Sequence, residues 1–308
     1  MHIPLMSIAP TDFPPDQGID SFLAEVKGAM INALLDTPLG ELVDNFGNIL
    51  GTGKMLRSRL AYRIGPATRT PREELIDACA AVEMVHAASL LHDDVIDGGM
   101  MRRGLPTFWI ERGVSGAILL GDMLLFKALD ITCSVHEDCR WTRKLVRMTG
   151  QVCQAESEQE LLLRGRRPTW EQSVRIARYK TGALFAFSAY AAAGTDPGLQ
   201  LALEEAGYLV GTCYQLADDI LDTTGSEKES GKTLGTDETR DKITAASAAA
   251  LCDVDPVERI QSYCATAEKR LLEWPEVTAA WRGYMEKDLA PTLESNLDRF
   301  SRLQAAAG

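Results

Sequence analysis

The 308 residues carry 32 Lys and Arg against 44 Asp and Glu, a formal charge of −12, and 45% of them are hydrophobic. That is an ordinary globular composition with ample material for a core, and the acidic balance without any basic run argues against nucleic acid as a partner. Seven cysteines, odd in number and lacking a Cys-x-x-Cys pair, point to reduced thiols in a cytoplasmic protein.

The chain opens with an irregular, proline-containing lead-in over residues 1–18, without a basic n-region or a long apolar stretch, so no signal peptide is expected. Residues 19–308 then read as one all-α domain. Residues 19–35 have helical spacing (Phe22, Leu23, Val26, Met30, Leu34), with Asp20 or Ser21 as the expected cap. A short helix over 39–50, a Gly51-Thr52-Gly53-Lys54 loop and a helix over 56–64 follow. Thr70-Pro71-Arg72-Glu73 has the form of a helix start, with Thr70 capping and Pro71 at the first helical position. The spacing predicts further helices over 114–131, interrupted by Gly121-Asp122, over 140–163, and over 173–193 behind a Thr169–Gln172 capping box. It predicts four more over 199–223, 239–251, 256–272 and 277–303, with a polar loop over 224–237. No alternating β pattern appears, and no run reaches the ~18 uninterrupted apolar residues of a membrane span.

Two stretches carry the chemistry. In the first, His86 precedes Asp93, Asp94 and Asp97 on an apolar helix, and Arg102, Arg103 and Gly104 follow it. Asp93 and Asp97, four apart, share a face with His86, while Asp94 points about 100° away at ~3.6 residues per turn. In the second, Gln215 precedes Asp218, Asp219 and Asp222 at the end of another apolar run. Carboxylates at the ends of apolar helices need a cation, basic partners or solvent. One such motif is as readily a solvated helix end; two copies facing each other would offer up to six carboxylates to hard divalent cations. Mg²⁺ takes one or two protein carboxylates plus phosphate oxygens and water, so the pattern suits metal ions holding a diphosphate.

These two motifs, with Gly53-Lys54-x-Leu56-Arg57, Lys180-Thr181 and Gly231-Lys232-x-x-Gly235-x-Asp237, resemble the blocks of the trans-type isoprenyl diphosphate synthases, the polyprenyl synthetase family, in the family's order. The resemblance implies a helical bundle around a central cavity. It also implies Mg²⁺-dependent head-to-tail condensation of isopentenyl diphosphate with an allylic diphosphate. It makes Asp93, Asp94, Asp97, Asp218, Asp219 and Asp222 the metal ligands, for three Mg²⁺ ions with bound diphosphate. Arg102, Lys180, Lys232 and Lys242 then grip the allylic diphosphate, and Lys54, Arg57, His86 and Arg103 hold isopentenyl diphosphate. Thr181 and Gln215 stand near the reacting centre. A satisfied core histidine remains the alternative for His86, and a surface cation for each Lys and Arg.

The sequence departs from the family's Gly-Lys-Arg-x-Arg-Pro pattern at Met55 and Ser58, and Arg59 is the cation placed to compensate. Small residues at Ala88 and Ser89, five and four before Asp93, resemble those of long-chain members and imply a product of C20 or more, C30–C50 favoured. Met123, Leu124 and Phe126 are the alternative floor. A homodimer is the family expectation. The competing readings are a class I terpene cyclase, which needs no isopentenyl site, and a non-catalytic partner subunit, which would have lost its Asp-rich motifs.

Overall fold

The computed structural model describes residues 17–42, 49–50, 53–166, 169–224 and 254–293, with the side chains of Gln17 and of residues 220–224 excepted. Among these the chain is all-helical apart from one small hairpin. α1 spans Gln17–Leu35, α2 Leu56–Thr68 and α3 Arg72–Asp97. A two-residue hairpin, β1 (Met101–Arg102) and β2 (Leu105–Pro106), leads into α4, Phe108–Val135. α5 covers Arg140–Ser157, α6 Trp170–Ala177 and α7 Ala183–Ala191. α8 covers Pro197–Thr224, α9 Pro256–Lys269 and α10 Pro275–Tyr284.

α3 is the core of the bundle and packs on α1, α2, α4 and α7. Most of its apolar side chains from Leu75 to Leu91 are buried, on more than one face, which is why no single stripe marks it. It has the length and apolar composition of a bilayer span, more than an uninterrupted-run criterion detects, but 67% of that window is buried inside the fold. Small residues set two close helix approaches. A Cβ on Gly121 would stand 2.2 Å from the His92 ring, so the Gly121-Asp122 interruption lets α4 lie against α3. A Cβ on Gly211 would stand 2.6 Å from the Cα of Gly182, which brings α8 against the turn before α7.

Among the described residues three π-helical turns interrupt the bundle, at Glu158–Leu162, Arg178–Gly182 and Met285–Leu289. The first two carry side chains of the candidate site, a frequent placement for such bulges.

Several local expectations change. α1 begins before Asp20, so neither Asp20 nor Ser21 caps it, and Ser21 Oγ bonds Glu25 instead. Thr70 does not cap α3; its hydroxyl donates to the Ala192 carbonyl at 3.2 Å. Residues 38–42 form a 3-10 turn, and most of the rest of the helix expected over 39–50 lies outside the described residues. The hairpin escapes an alternation test because each strand has two residues. Its turn is made by Arg103 and Gly104, both at positive φ. The Thr169–Gln172 capping box forms as expected. The helix expected over 239–251, Lys232, Lys242 and the end of the chain lie outside the described residues, as does the Asp222 side chain.

Candidate active site

A cavity of about 440 Å³ opens between α2, α3, the end of α5, the Arg178–Gly182 turn and α8. α3 contributes His86, Ser89, Leu90 and Asp93, the i, i+3, i+4, i+7 face that helix geometry dictates. From α8 come Tyr214, Gln215 and Asp218. The two Asp-rich helix ends therefore meet over one space, each through its first carboxylate.

The remaining carboxylates differ. Asp94 is buried beside the hairpin and clamped by Arg102, whose Nε and terminal nitrogen donate to it at 2.7–3.1 Å. Burial raises the Asp94 carboxyl above its ordinary value, against the lowering effect of Arg102. Asp97 is half-buried and outside the lining. Asp219 accepts a 2.6 Å bond from Gln215 Nε2, and Gln215 Oε1 accepts from Thr181 Oγ1, so Thr181, Gln215 and Asp219 form one chain. Among the described residues no group of three or more His, Cys, Asp or Glu side chains could hold a metal ion on its own.

Cations line the same cavity. Lys54, Arg57, Arg102, Arg103 and Lys180 all line it. Arg57 is 8% exposed, lies 4.9 Å above the Phe185 ring, and its Nε has no hydrogen-bond partner. Burial pulls its guanidinium below the ordinary value, opposed by nearby Glu83. A buried guanidinium N–H without an acceptor is costly in a folded protein and suits a site that receives an anion. Burial, reinforced by Arg57, Arg102 and Arg103, holds the His86 imidazole well below its usual value, so it is neutral at pH 7. Lys180 pairs with Glu156 and donates to Gln159 Oε1 at 3.3 Å. Lys54 Nζ bonds Thr292 Oγ1 at 3.0 Å, tying the loop before α2 to the end of the described chain.

The two departures from the family pattern have visible consequences. Met55 sits at positive φ, buried in the cavity wall, where it adds no charge. Ser58 supplies what a proline could not, an N–H at 3.3 Å and a hydroxyl at 2.8 Å, both donated to buried Glu83 Oε1. Arg59 does not compensate for Met55: it points away, to Asp288 at 3.1 Å and to the Lys54 carbonyl.

Of the expected tunnel residues, Ser89 lines the cavity but Ala88 is fully buried in the core. On α4, Leu124 is core and Phe126 is 70% exposed, so neither lines this space. Sequence reasoning passed over Glu83, Glu156, Gln159 and Phe185 as site residues. Glu83, three before His86 on the same helix face, was the one with a readable signal.

An all-helical bundle with two Asp-rich helix ends and a cluster of cations over one cavity is the architecture of an isoprenoid-synthase-type protein. The chain belongs to the polyprenyl synthetase family, whose model matches residues 41–274. It is 36% identical over 207 residues to a geranylgeranyl diphosphate synthase of Mycobacterium tuberculosis, covering 65% of this chain and 59% of the relative. It is 35% identical over 209 residues to a probable farnesyl diphosphate synthase of Sinorhizobium fredii, covering 63% of each. These matches span about six tenths of the relatives' own length. The crystal structure of a polyprenyl synthase from Caulobacter crescentus, complexed with calcium and isoprenyl diphosphate, superposes with a TM-score of 0.69 at 25% identity, covering 94% of this chain and 89% of that one.

Proposed function

We propose that the chain is a divalent-metal-dependent prenyltransferase that joins isopentenyl diphosphate to an allylic diphosphate and makes a product of C20 or longer. The observation that carries this reading is the meeting of Asp93 and Asp218 over one cavity whose other walls hold five cationic side chains. The named activities of its relatives, and the divalent ion and isoprenyl diphosphate in the Caulobacter structure, support it.

The donor set fits Mg²⁺. Asp93 and Asp218 are hard oxygen donors, and Mg²⁺ takes one or two protein carboxylates and completes its shell with phosphate oxygens and water. Asp93, Asp97, Asp218 and the side chains of Asp219 and Asp222 are the residues that would hold it. When bound, the metal neutralises charge building on the departing diphosphate. Arg102 and Lys180 would grip that diphosphate from the protein side, while Glu156 and Gln159 keep the Lys180 ammonium at the cavity wall. Breaking the allylic C–O bond leaves a carbocation. The Thr181–Gln215–Asp219 hydrogen-bond chain fixes the Thr181 and Gln215 dipoles at the cavity wall, where they would face that charge. The isopentenyl double bond then attacks, and loss of a proton completes the longer chain. Arg57, Arg103 and Lys54, beside neutral His86, would hold isopentenyl diphosphate; orphaned Arg57 Nε is the donor that gains most.

The assembly is proposed to be a homodimer through α4. Past the break at Gly113, Val114, Ile118, Leu119 and Phe126 are 42–70% exposed along this helix, an apolar face that a second copy would cover. Titration calorimetry tests the two-site assignment. Binding of the allylic diphosphate should require Mg²⁺ and that of isopentenyl diphosphate should not; equal metal dependence for both would overturn it.

A further inference from the structure

Two cysteines that the cavity does not use meet at the junction of α4 and α5. Cys133 stands in the last turn of α4 and Cys139 at the N-cap of α5, six residues on, with their Sγ atoms 3.7 Å apart. Cys133 is exposed, Cys139 is half-buried, and neither lines the cavity. A disulfide has ~2.05 Å between its sulfurs, so closure asks this pair to approach by only about 1.6 Å.

The turn between them is pinned on both sides. Thr132 Oγ1 donates to the Leu129 carbonyl at 3.0 Å in the last turn of α4. The Cys139 N–H donates to the His136 carbonyl at 2.9 Å, and the Arg143 N–H to the Cys139 carbonyl at 3.0 Å. Cys139 itself takes a φ of 50°, in the left-handed region that favours glycine or asparagine. The His136 ring stands edge-on to buried Trp141, 4.6 Å between centroids, and its Nε2 lies 3.6 Å from Glu74 in the first turn of α3. Asp93 is about 28 Å further along that helix at ~1.5 Å per residue, so the thiols sit at the opposite end of the bundle from the candidate site.

A second thiol pair, Cys213 on α8 and Cys264 on α9, is closer still at 3.5 Å, but Cys213 is fully buried. Thiol–disulfide exchange needs an incoming disulfide to reach the attacking sulfur, which an exposed pair permits and an interior one denies. Within the exposed pair the hydrogen bond with Cys133 holds the Cys139 thiol above its ordinary value, against the pull of Arg143. Exposed Cys133 is therefore the first nucleophile and Cys139 the resolving one.

We propose that Cys133 and Cys139 are a thiol-oxidation site, converted by a low-molecular-weight disulfide into an intrachain bond that staples the end of α4 to the start of α5. The Cys133 thiolate attacks one sulfur of the incoming disulfide and expels its other half as a thiolate, leaving a mixed disulfide. The Cys139 thiolate then attacks Cys133 Sγ and expels the second half. Two protein thiols are oxidised, one small disulfide is reduced to two small thiols, and the two protons pass from the cysteines to those thiols. The site does not depend on the prenyltransferase reading.

The test is equilibration of the full chain with oxidised glutathione, acid quenching, alkylation of the remaining thiols and peptide mass mapping, with non-reducing electrophoresis alongside. Wild type should form a Cys133–Cys139 bond within one chain. Its Tm should rise by roughly 2–4 °C, the effect of closing so short a loop in a chain of this size, and dithiothreitol should reverse the rise. Cys139→Ser, which lacks the resolving thiol, should instead retain one glutathione on Cys133, and Cys133→Ser should take up less. Cys133 lies two turns beyond Phe126 on the same side of α4, so a bond between two copies is the competing outcome. A wild type that keeps both thiols under conditions that glutathionylate Cys139→Ser would overturn the proposal. So would a first bond mapped to Cys213–Cys264, or one that joins Cys133 of two copies.

Discussion

Gly211→Ala tests how the fold places the second Asp-rich helix. The added methyl would lie 2.6 Å from Gly182 Cα, 2.8 Å from Phe185 Cδ2 and 3.1 Å from Gly182 N. Two of these three atoms are backbone, so relief requires α8 to move away from the Arg178–Gly182 turn. Overpacking of this kind costs about 1–3 kcal/mol. The same movement stretches the Thr181–Gln215 hydrogen bond, worth about 1 kcal/mol more. A total of roughly 2–4 kcal/mol corresponds to a drop in Tm of ~3–6 °C for a chain of this size, at ~2.1 cal/mol/K of unfolding entropy per residue. Gly150→Ala is the control: it sits inside α5 with nothing within 4 Å of its added methyl. It should raise Tm slightly, through the ~0.5–1 kcal/mol helix preference of alanine. Thermal unfolding of both variants by circular dichroism, with turnover at 25 °C, gives the readout. A Gly211→Ala protein as stable as Gly150→Ala would refute the close-approach argument.

The remaining predictions concern the site. Asp93→Ala and Asp218→Ala should each remove most prenyl-transfer activity while far-UV circular dichroism stays helical; near-normal rates with excess Mg²⁺ would break the assignment. Arg57→Ala and Lys54→Ala should raise KM for isopentenyl diphosphate more than for the allylic substrate, by about tenfold or more for the buried Arg57; an equal rise for both would merge the two sites. Ser89→Phe should shorten the product seen by chromatography. Ala88→Phe should chiefly destabilise, because Ala88 is fully buried in the core. His86 is held below its ordinary pKa, so the folded state binds fewer protons than the unfolded one as pH falls through about 6.5. Stability is therefore complete above that pH and lost below it, and urea titrations of His86→Asn should show a shallower loss between about pH 7 and 5.

The helix-period pattern made most of the bundle legible, because amphipathic helices such as α1 and α5 bury one stripe. The site was legible wherever residue spacing alone sets the face, as with His86, Ser89 and Asp93. It failed where a side chain's direction depends on a tertiary partner. Asp94 and Arg59 read as site residues, yet the hairpin takes the first and Asp288 the second. Ala88 and Ser89 are adjacent small residues, and only helix phase against the packed neighbours separates core from cavity. Gln159 reaches Lys180 from a π-turn that has no sequence period of its own, and Glu156 joins it from the end of α5.

The central claim is that one cavity joins two different diphosphates, and the most direct measurement is the reaction itself. Purified protein is incubated with radiolabelled isopentenyl diphosphate, farnesyl diphosphate as allylic primer and Mg²⁺, and the dephosphorylated products are resolved by chain length. The account predicts metal-dependent incorporation into products of C20 or longer, abolished by chelation and by Asp218→Ala. No incorporation with any allylic primer, or label released without chain growth, would contradict it.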